Sequence, residues 1–407
     1  MIAKALVSAV AAAAVVSAQS NSNFCTADTI QINSNADASN LQSCRTVKNI
    51  NIGNQTDSAL KLSGPTTIEG DLTVQGNKNI RSIESDTIQT IKGKFTLAGL
   101  EKLDTLKFDR LTEVGEIAWQ TLPQLGQLGF GTIGVTKAKK VVISDTFLGS
   151  LDGLNLVTVD FMDLNNNGRL LKHTSKLANL TTLLMLQANG RNELQWEMPD
   201  LIWAANITVA NVSTFTLPKV KEINGSLRFD TNKIATFEAP NLTKAGSDIA
   251  FVGNAQLTNI SFPQLTTVGG SLTIANNTRL ERLDSLPKLQ QVGGAVRLRG
   301  NFSDVELPAL NTAQGAFVKG VFDVQSTTDI SKSCDALKPH ARSEQGGDNK
   351  IQGPFTCESN NDKANEDINN PNGRGGNGNN NKNSATGTTI NMALLGLSLV
   401  AGVASML

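Results

Sequence analysis

The chain has 407 residues, and its 36 basic and 36 acidic side chains cancel, so it has no net field with which to gather nucleic acid. It has no Tyr and only three Trp, which leaves little for a sugar site built as a broad aromatic platform. Four Cys and two His without a close pair exclude a zinc site, so no metal or cofactor is expected.

Met1 to Lys4 is a short basic start, residues 5–16 are apolar, and Val16-Ser17-Ala18 supplies small residues before a cut at Gln19. This pattern predicts a secretory signal peptide over 1–18. Secretion places the cysteines in an oxidising compartment. Cys25 and Cys44 precede the first clear repeat, and Cys334 and Cys357 follow the last. Of three possible pairings we expect the local ones, Cys25 with Cys44 and Cys334 with Cys357, because these clamp the two caps that an open column needs.

Between the cysteine pairs the chain repeats. Gly70-Asp71-Leu72-Thr73-Val74 and Gly93-Lys94-Phe95-Thr96-Leu97 share a Gly-x-apolar-x-apolar core. Residues 133–184 depart from the pattern, and it returns with five prolines, Pro218, Pro240, Pro263, Pro287 and Pro308, spaced 22, 23, 24 and 21 residues apart. The clearest copies, 263–274 and 287–298, read Pro-x-Leu-x-x-Val-Gly-Gly-x-Leu-x-Ile, with Val296 and Leu298 closing the second. A period of 20–25 residues marks a solenoid of about a dozen rungs. Within a rung Leu272 and Ile274 alternate with Ser271 and Thr273, so one strand face points inward and the other outward. Glycine pairs such as Gly269-Gly270 are expected to turn the chain through positive φ, and each proline to occupy a corner.

An asparagine recurs three residues after the second inward position: Asn77, Asn167, Asn189, Asn232, Asn254, Asn277 and Asn301. A carboxamide both donates and accepts, so stacked copies can satisfy one another and the turn backbone inside the column. Nine Asn-x-Ser/Thr sequons, at Asn54, Asn179, Asn206, Asn211, Asn224, Asn241, Asn259, Asn276 and Asn301, predict a heavily glycosylated surface. Asn301 belongs to both sets, so a buried ladder would leave it the least modified.

Candidate chemistry is sparse. Asp160 and Asp163 are the nearest approach to a carboxylate pair for polysaccharide cleavage, but a spacing of three on a strand predicts opposite faces. His173 and His340 are expected to be solvated, and Arg297, Arg299 and the cluster Lys137, Lys139 and Lys140 to be solvated surface. No catalytic residue is predicted. Trp119 falls on an inward phase and reads as core, whereas Trp196 and Trp203 flank Pro199 and could share an exposed edge that serves as a binding platform.

From 358 to 383 the composition turns to Asn, Gly, Asp and Lys, which predicts a disordered stalk after a solenoid ectodomain over 19–357. The apolar run 392–407 would span about 24 Å as a helix, short of a bilayer core of about 30 Å. With the small polar run before it, this reads as a GPI-attachment signal, 384–407 being removed and Asn383 carrying the anchor, with Ser384 and Gly378 as alternatives.

Leader, Cys pair, Pro-x-Leu-x-x-Val-Gly-Gly-x-Leu-x-Ile rungs, Cys pair, polar stalk and tail, in this order, resemble the fungal GPI-anchored cell-wall organisation proteins of the "extracellular mutant" and sporulation-specific group. The rungs also resemble the receptor L domain, which implies an all-β fold, a right-handed parallel β-helix of leucine-rich type. The resemblance implies residence on the outer leaflet of the plasma membrane and in the wall's glucan and mannoprotein matrix, and a requirement for wall integrity. It implies no catalytic residues. The alternatives are a surface module that binds wall polymer or a protein, and a polysaccharide-modifying enzyme.

Overall fold

The computed structural model describes residues 22–53, 57–313, 321–341 and 348–365. The leader over 1–18, the sequon at Asn54, the attachment candidates Asn383, Ser384 and Gly378, and the tail 384–407 lie outside them.

The described residues form a parallel β-solenoid of about 12 turns, with its principal sheet built from 23 strands. One coil serves for the rest. Thr267–Val268 is a short strand, Gly269 and Gly270 make a corner, and Leu272–Ala275 is the longer strand. A turn through Asn276 and Asn277 leads to Arg282–Leu283 on a third face, and the Pro287 corner returns the chain to the next short strand. Ile249, Leu272 and Val296 stack in register, as do Phe251, Ile274 and Leu298, so each coil buries its inward side chains against identical positions above and below. Phe229 lies flat on Phe251 with ring centroids 4.8 Å apart. No single coil could cover these residues alone, which is why the repeats stand or fall together.

The glycine pairs serve a different purpose from the one expected. Neither Gly269 nor Gly270 takes a positive φ. A Cβ on Gly269 would lie 2.1 Å from the Gly246 carbonyl oxygen of the coil below, so glycine is required by close backbone approach between coils. The left-handed residue stands instead after the long strand, where Asn166, Thr231 and Asn276 hold φ of 54°, 51° and 54°.

Residues 133–184 keep the coil. Lys140–Thr146, Thr158–Asn165 and Asn179–Gln187 pair in parallel, with short and long strands fused in the last two as they are in Thr90–Ala98 and Glu113–Leu122.

The asparagine ladder is internal: Asn77 is buried and donates to the Gly53 carbonyl, and from residue 146 onward the ladder runs in two sections among the described residues. Asn167 Nδ2 donates to Asn189 Oδ1 at 2.9 Å and to the Ile143 carbonyl at 2.9 Å, while Thr146 Oγ1 donates to Asn167 Oδ1. Val212 interrupts the column, and Asn232, Asn254 and Asn277 continue it. Asn301 is not a member. Its long strand, Val296–Gly300, runs one residue further, which turns Phe302 into the core and Asn301 out to bond Thr278, Thr327 and Asn365.

Disulfides join Cys25 to Cys44 and Cys334 to Cys357, with Cα atoms 5.4 and 5.6 Å apart. Each ties a short helical segment, Asn35–Asn40 with its following 3-10 turn or Ser331–Leu337, across an end of the column. The chain stays packed beyond Cys357: Ala364 is buried and Asn361 donates to Gln325. Residues 358–365, expected to begin a disordered stalk, thus belong to the folded cap, and the rest of that expected stalk lies outside the described residues.

Candidate functional site

Trp196 and Trp203 do not share an edge. Trp196 follows Leu194 on the inward phase of a third-face strand, Leu194–Glu197, and is fully buried. Trp203 opens a short strand on the principal sheet, half-buried and facing outward beside Asn179 and Glu222. The corner through Leu201 sends the two indoles to different faces, so no joint binding platform exists. Trp119 is buried too, its ring edge-on to Phe95 at 5.8 Å.

His173 is not a solvated histidine. It pairs in register with Trp196 and its ring lies 4.5 Å from the indole, where burial pushes its pKa down to about 4. The unfolded chain accepts this proton near pH 6.5, and the folded chain only near 4. In between, the unfolded state binds more protons, so stability is complete above pH 6.5 and declines as the pH falls toward 4. His173→Phe is expected to remove about 2 kcal/mol of the stability difference between pH 7 and pH 4.5. Denaturant unfolding at the two pH values checks this, and an unchanged difference would refute it. His340 sits at the C-terminal cap with Nδ1 2.8 Å from Asp348.

Asp160 and Asp163 both face outward, against the expectation from their spacing. Val159, Met162 and Leu164 face inward, so Asp160 and Phe161 stand together at the corner where the short and long strands join and the alternation resets there, while the extra residue of the bulge lies in the neighbouring strand between Leu180 and Leu183. Asp160 accepts from Thr181 Oγ1 at 2.5 Å. Asp163 lies on the flat sheet face between Val142 and Met185, with Oδ1 buried and without a hydrogen-bond partner. Burial raises its pKa while the Lys140 charge opposes the rise. The two carboxyl groups are thus on one side of the molecule but open onto different surfaces.

One of those surfaces is concave. A groove of about 1010 Å³ crosses the coils between Asp71 and Asp160, where short and long strands meet. Its floor is bare backbone at Gly93 and Gly115. A Cβ on Gly115 would stand 2.1 Å from the Lys92 carbonyl oxygen, so no larger residue can fill the hollow without displacing the coil below. Lys92 pairs with Glu69 at 2.5 Å and Lys137 with Glu113 at 3.5 Å. Lys94, Glu116 and Lys139, on three successive coils, line the same groove and belong to no ion pair among the described residues. Lys140 turns away, its Nζ 5.3 Å from the Phe161 ring. Arg299 is structural, paired with buried Asp323 at 2.6 Å, and Arg297 is half-buried on the same strand. The lysine cluster was legible as surface. The groove was not, because it depends on residues from five coils, and its only local signal is the Gly93 and Gly115 corners.

No family model and no solved structure matches the chain. Curated relatives do. "Protein ecm33" of Aspergillus fumigatus is 36% identical over 337 residues, covering 82% of this chain and 80% of that protein. A "Cell surface GPI-anchored protein" of Arthroderma benhamiae is 33% identical over 89% of both chains. "Sporulation-specific protein 2" of Saccharomyces cerevisiae is 34% identical over 68% of this chain and 55% of that protein. Identity at this level along most of the solenoid settles the relationship: the chain belongs to the Ecm33 and sporulation-specific family of fungal cell-surface proteins.

Proposed function

We propose that the protein is a non-enzymatic, GPI-anchored glycoprotein of the outer face of the plasma membrane and the cell wall, where it serves wall organisation. The observation that carries this is the relationship, over most of the chain, to proteins named for a GPI anchor and for the cell wall. The tail 384–407, with Asn383 as the anchored residue and the leader over 1–18, supplies the matching signals in the sequence. A stalk beyond Asn365 would hold a rigid column away from the lipid. Glycans fit at Asn179, Asn224, Asn241 and Asn259, which are exposed. The non-enzymatic reading is supported by Asp160 and Asp163 opening onto different surfaces, since glycoside cleavage needs two carboxyl groups facing one another across a bond.

Deleting 384–407 from the full chain is expected to send the protein into the medium and to abolish its rescue of wall defects in a strain lacking it. Retention of the intact tail in the mature membrane protein, seen by mass spectrometry, would replace the anchor with a transmembrane helix. New reducing ends on incubation with β-glucan, chitin or mannan would overturn the non-enzymatic reading.

A further inference from the structure

We infer that the groove between Asp71 and Asp160 binds a neutral linear polysaccharide lying along the solenoid axis. The choice of polymer rests on the wall reading above; the site itself rests on four observations.

The first is where glycans cannot be. No sequon occurs between Asn54 and Asn179, whereas eight lie from Asn179 to Asn301. Asn179 pairs in register with Thr158, at the groove's far end. Sequons therefore flank the groove, at Asn54 before it and from Asn179 after it, and the coils that form it carry none and stay bare to a polymer.

The second is charge. Four lysines and four carboxylates line the groove and cancel, so it offers no field to a nucleic acid, a phosphorylated glycan or a polycation. It offers alternating donors and acceptors instead. Lys94, Glu116 and Lys139 have no ion-pair partner to give up, and hydroxyl groups can take both kinds of bond.

The third is what the groove lacks for a peptide. Every strand along it is paired on both sides, so no edge is free for strand addition. Of its apolar residues Val114, Ala138 and Val159 point into the core and Val157 alone is exposed, at the far end, which leaves no apolar hollow along the groove for an anchoring side chain.

The fourth is spacing. Coils repeat about every 4.8 Å, and a pyranose in an extended chain advances by about the same distance, so one sugar can face each coil. A glycan of about four or five residues would then meet Lys94, Glu116 and Lys139 in succession.

The test uses the full-length glycosylated protein titrated calorimetrically with soluble β-1,3-glucan, chitin and mannan oligosaccharides. One of these is expected to bind, with affinity unchanged between low and physiological salt. The triple variant K94A/E116A/K139A is expected to weaken it about tenfold or more at unchanged melting temperature, while E222A/K244A on the glycan-bearing coils leaves it unaltered. Absence of binding by all three glycans overturns the proposal, as does a triple variant within about twofold of the parent. Tighter, salt-sensitive binding of a sulfated control glycan would mean a charged partner, and self-association abolished by the triple variant would mean a copy-to-copy interface; either overturns it. Failure here leaves the anchoring reading to be judged by the tail deletion alone.

Discussion

Asn254→Ala is expected to lower the unfolding free energy by about 4 kcal/mol. Asn254 is buried and sits mid-ladder. Its Oδ1 accepts from the backbone N–H of Asn232 and from Asn232 Nδ2, both at 2.9 Å. Its Nδ2 donates to the Phe229 carbonyl at 3.1 Å and to Asn277 Oδ1 at 3.0 Å. Alanine removes all four bonds, but the damage lies in what remains. The Phe229 carbonyl and the Asn232 N–H are left in a dry interior without partners, at about 1–3 kcal/mol each. Asn277 Oδ1 keeps the Asn254 backbone N–H and Asn232 Nδ2 keeps the Val209 carbonyl, so the loss does not propagate along the ladder. Denaturant unfolding measures the effect. A loss below about 1 kcal/mol would mean that water enters the turn and that the ladder is not what satisfies it.

Trp196→Ala should cost about 3–5 kcal/mol, and Trp203→Ala below about 1. Trp196 fills the core of the third face and Trp203 lies half-exposed on the principal sheet, so removing the first opens a cavity and removing the second does not. Trp196→Phe refines the argument. The Trp196 Nε1–H is buried without a hydrogen-bond partner, so phenylalanine loses part of the ring but also removes an unsatisfied donor, and it should cost less than half as much as alanine. Trp196→Ala also uncovers His173, whose pKa should move back toward 6.5 and take the acid sensitivity with it. Thermal unfolding of the three variants at two pH values reads both effects together. Equal losses for Trp196→Ala and Trp203→Ala would overturn the assignment of core and surface.

Much of the architecture was legible because it is written with a short period. The alternation at Leu272 and Ile274 specifies which side chains go inward, and repetition every 20–25 residues leaves parallel stacking as the way to bury them. The asparagines at 167, 189, 232, 254 and 277 followed from the same reasoning, since a turn inside a column needs a group that both donates and accepts.

What the sequence could not determine was anything that depended on one residue of phase or on the coil below. One extra strand residue before Asn301 took it out of the ladder, and a break in the alternation after Val159 brought Asp160 and Asp163 to the same side. Gly269 and Gly115 look like turn glycines along the chain, yet it is a carbonyl some 23 residues earlier that forbids a side chain there. Trp196 reads as a loop residue beside Pro199 until the third-face strand places it against His173. The groove exists only because five coils align their corners. Local pattern decides which way a side chain points, while contact between coils decides what it meets, and the second is set by stacking that no single repeat encodes.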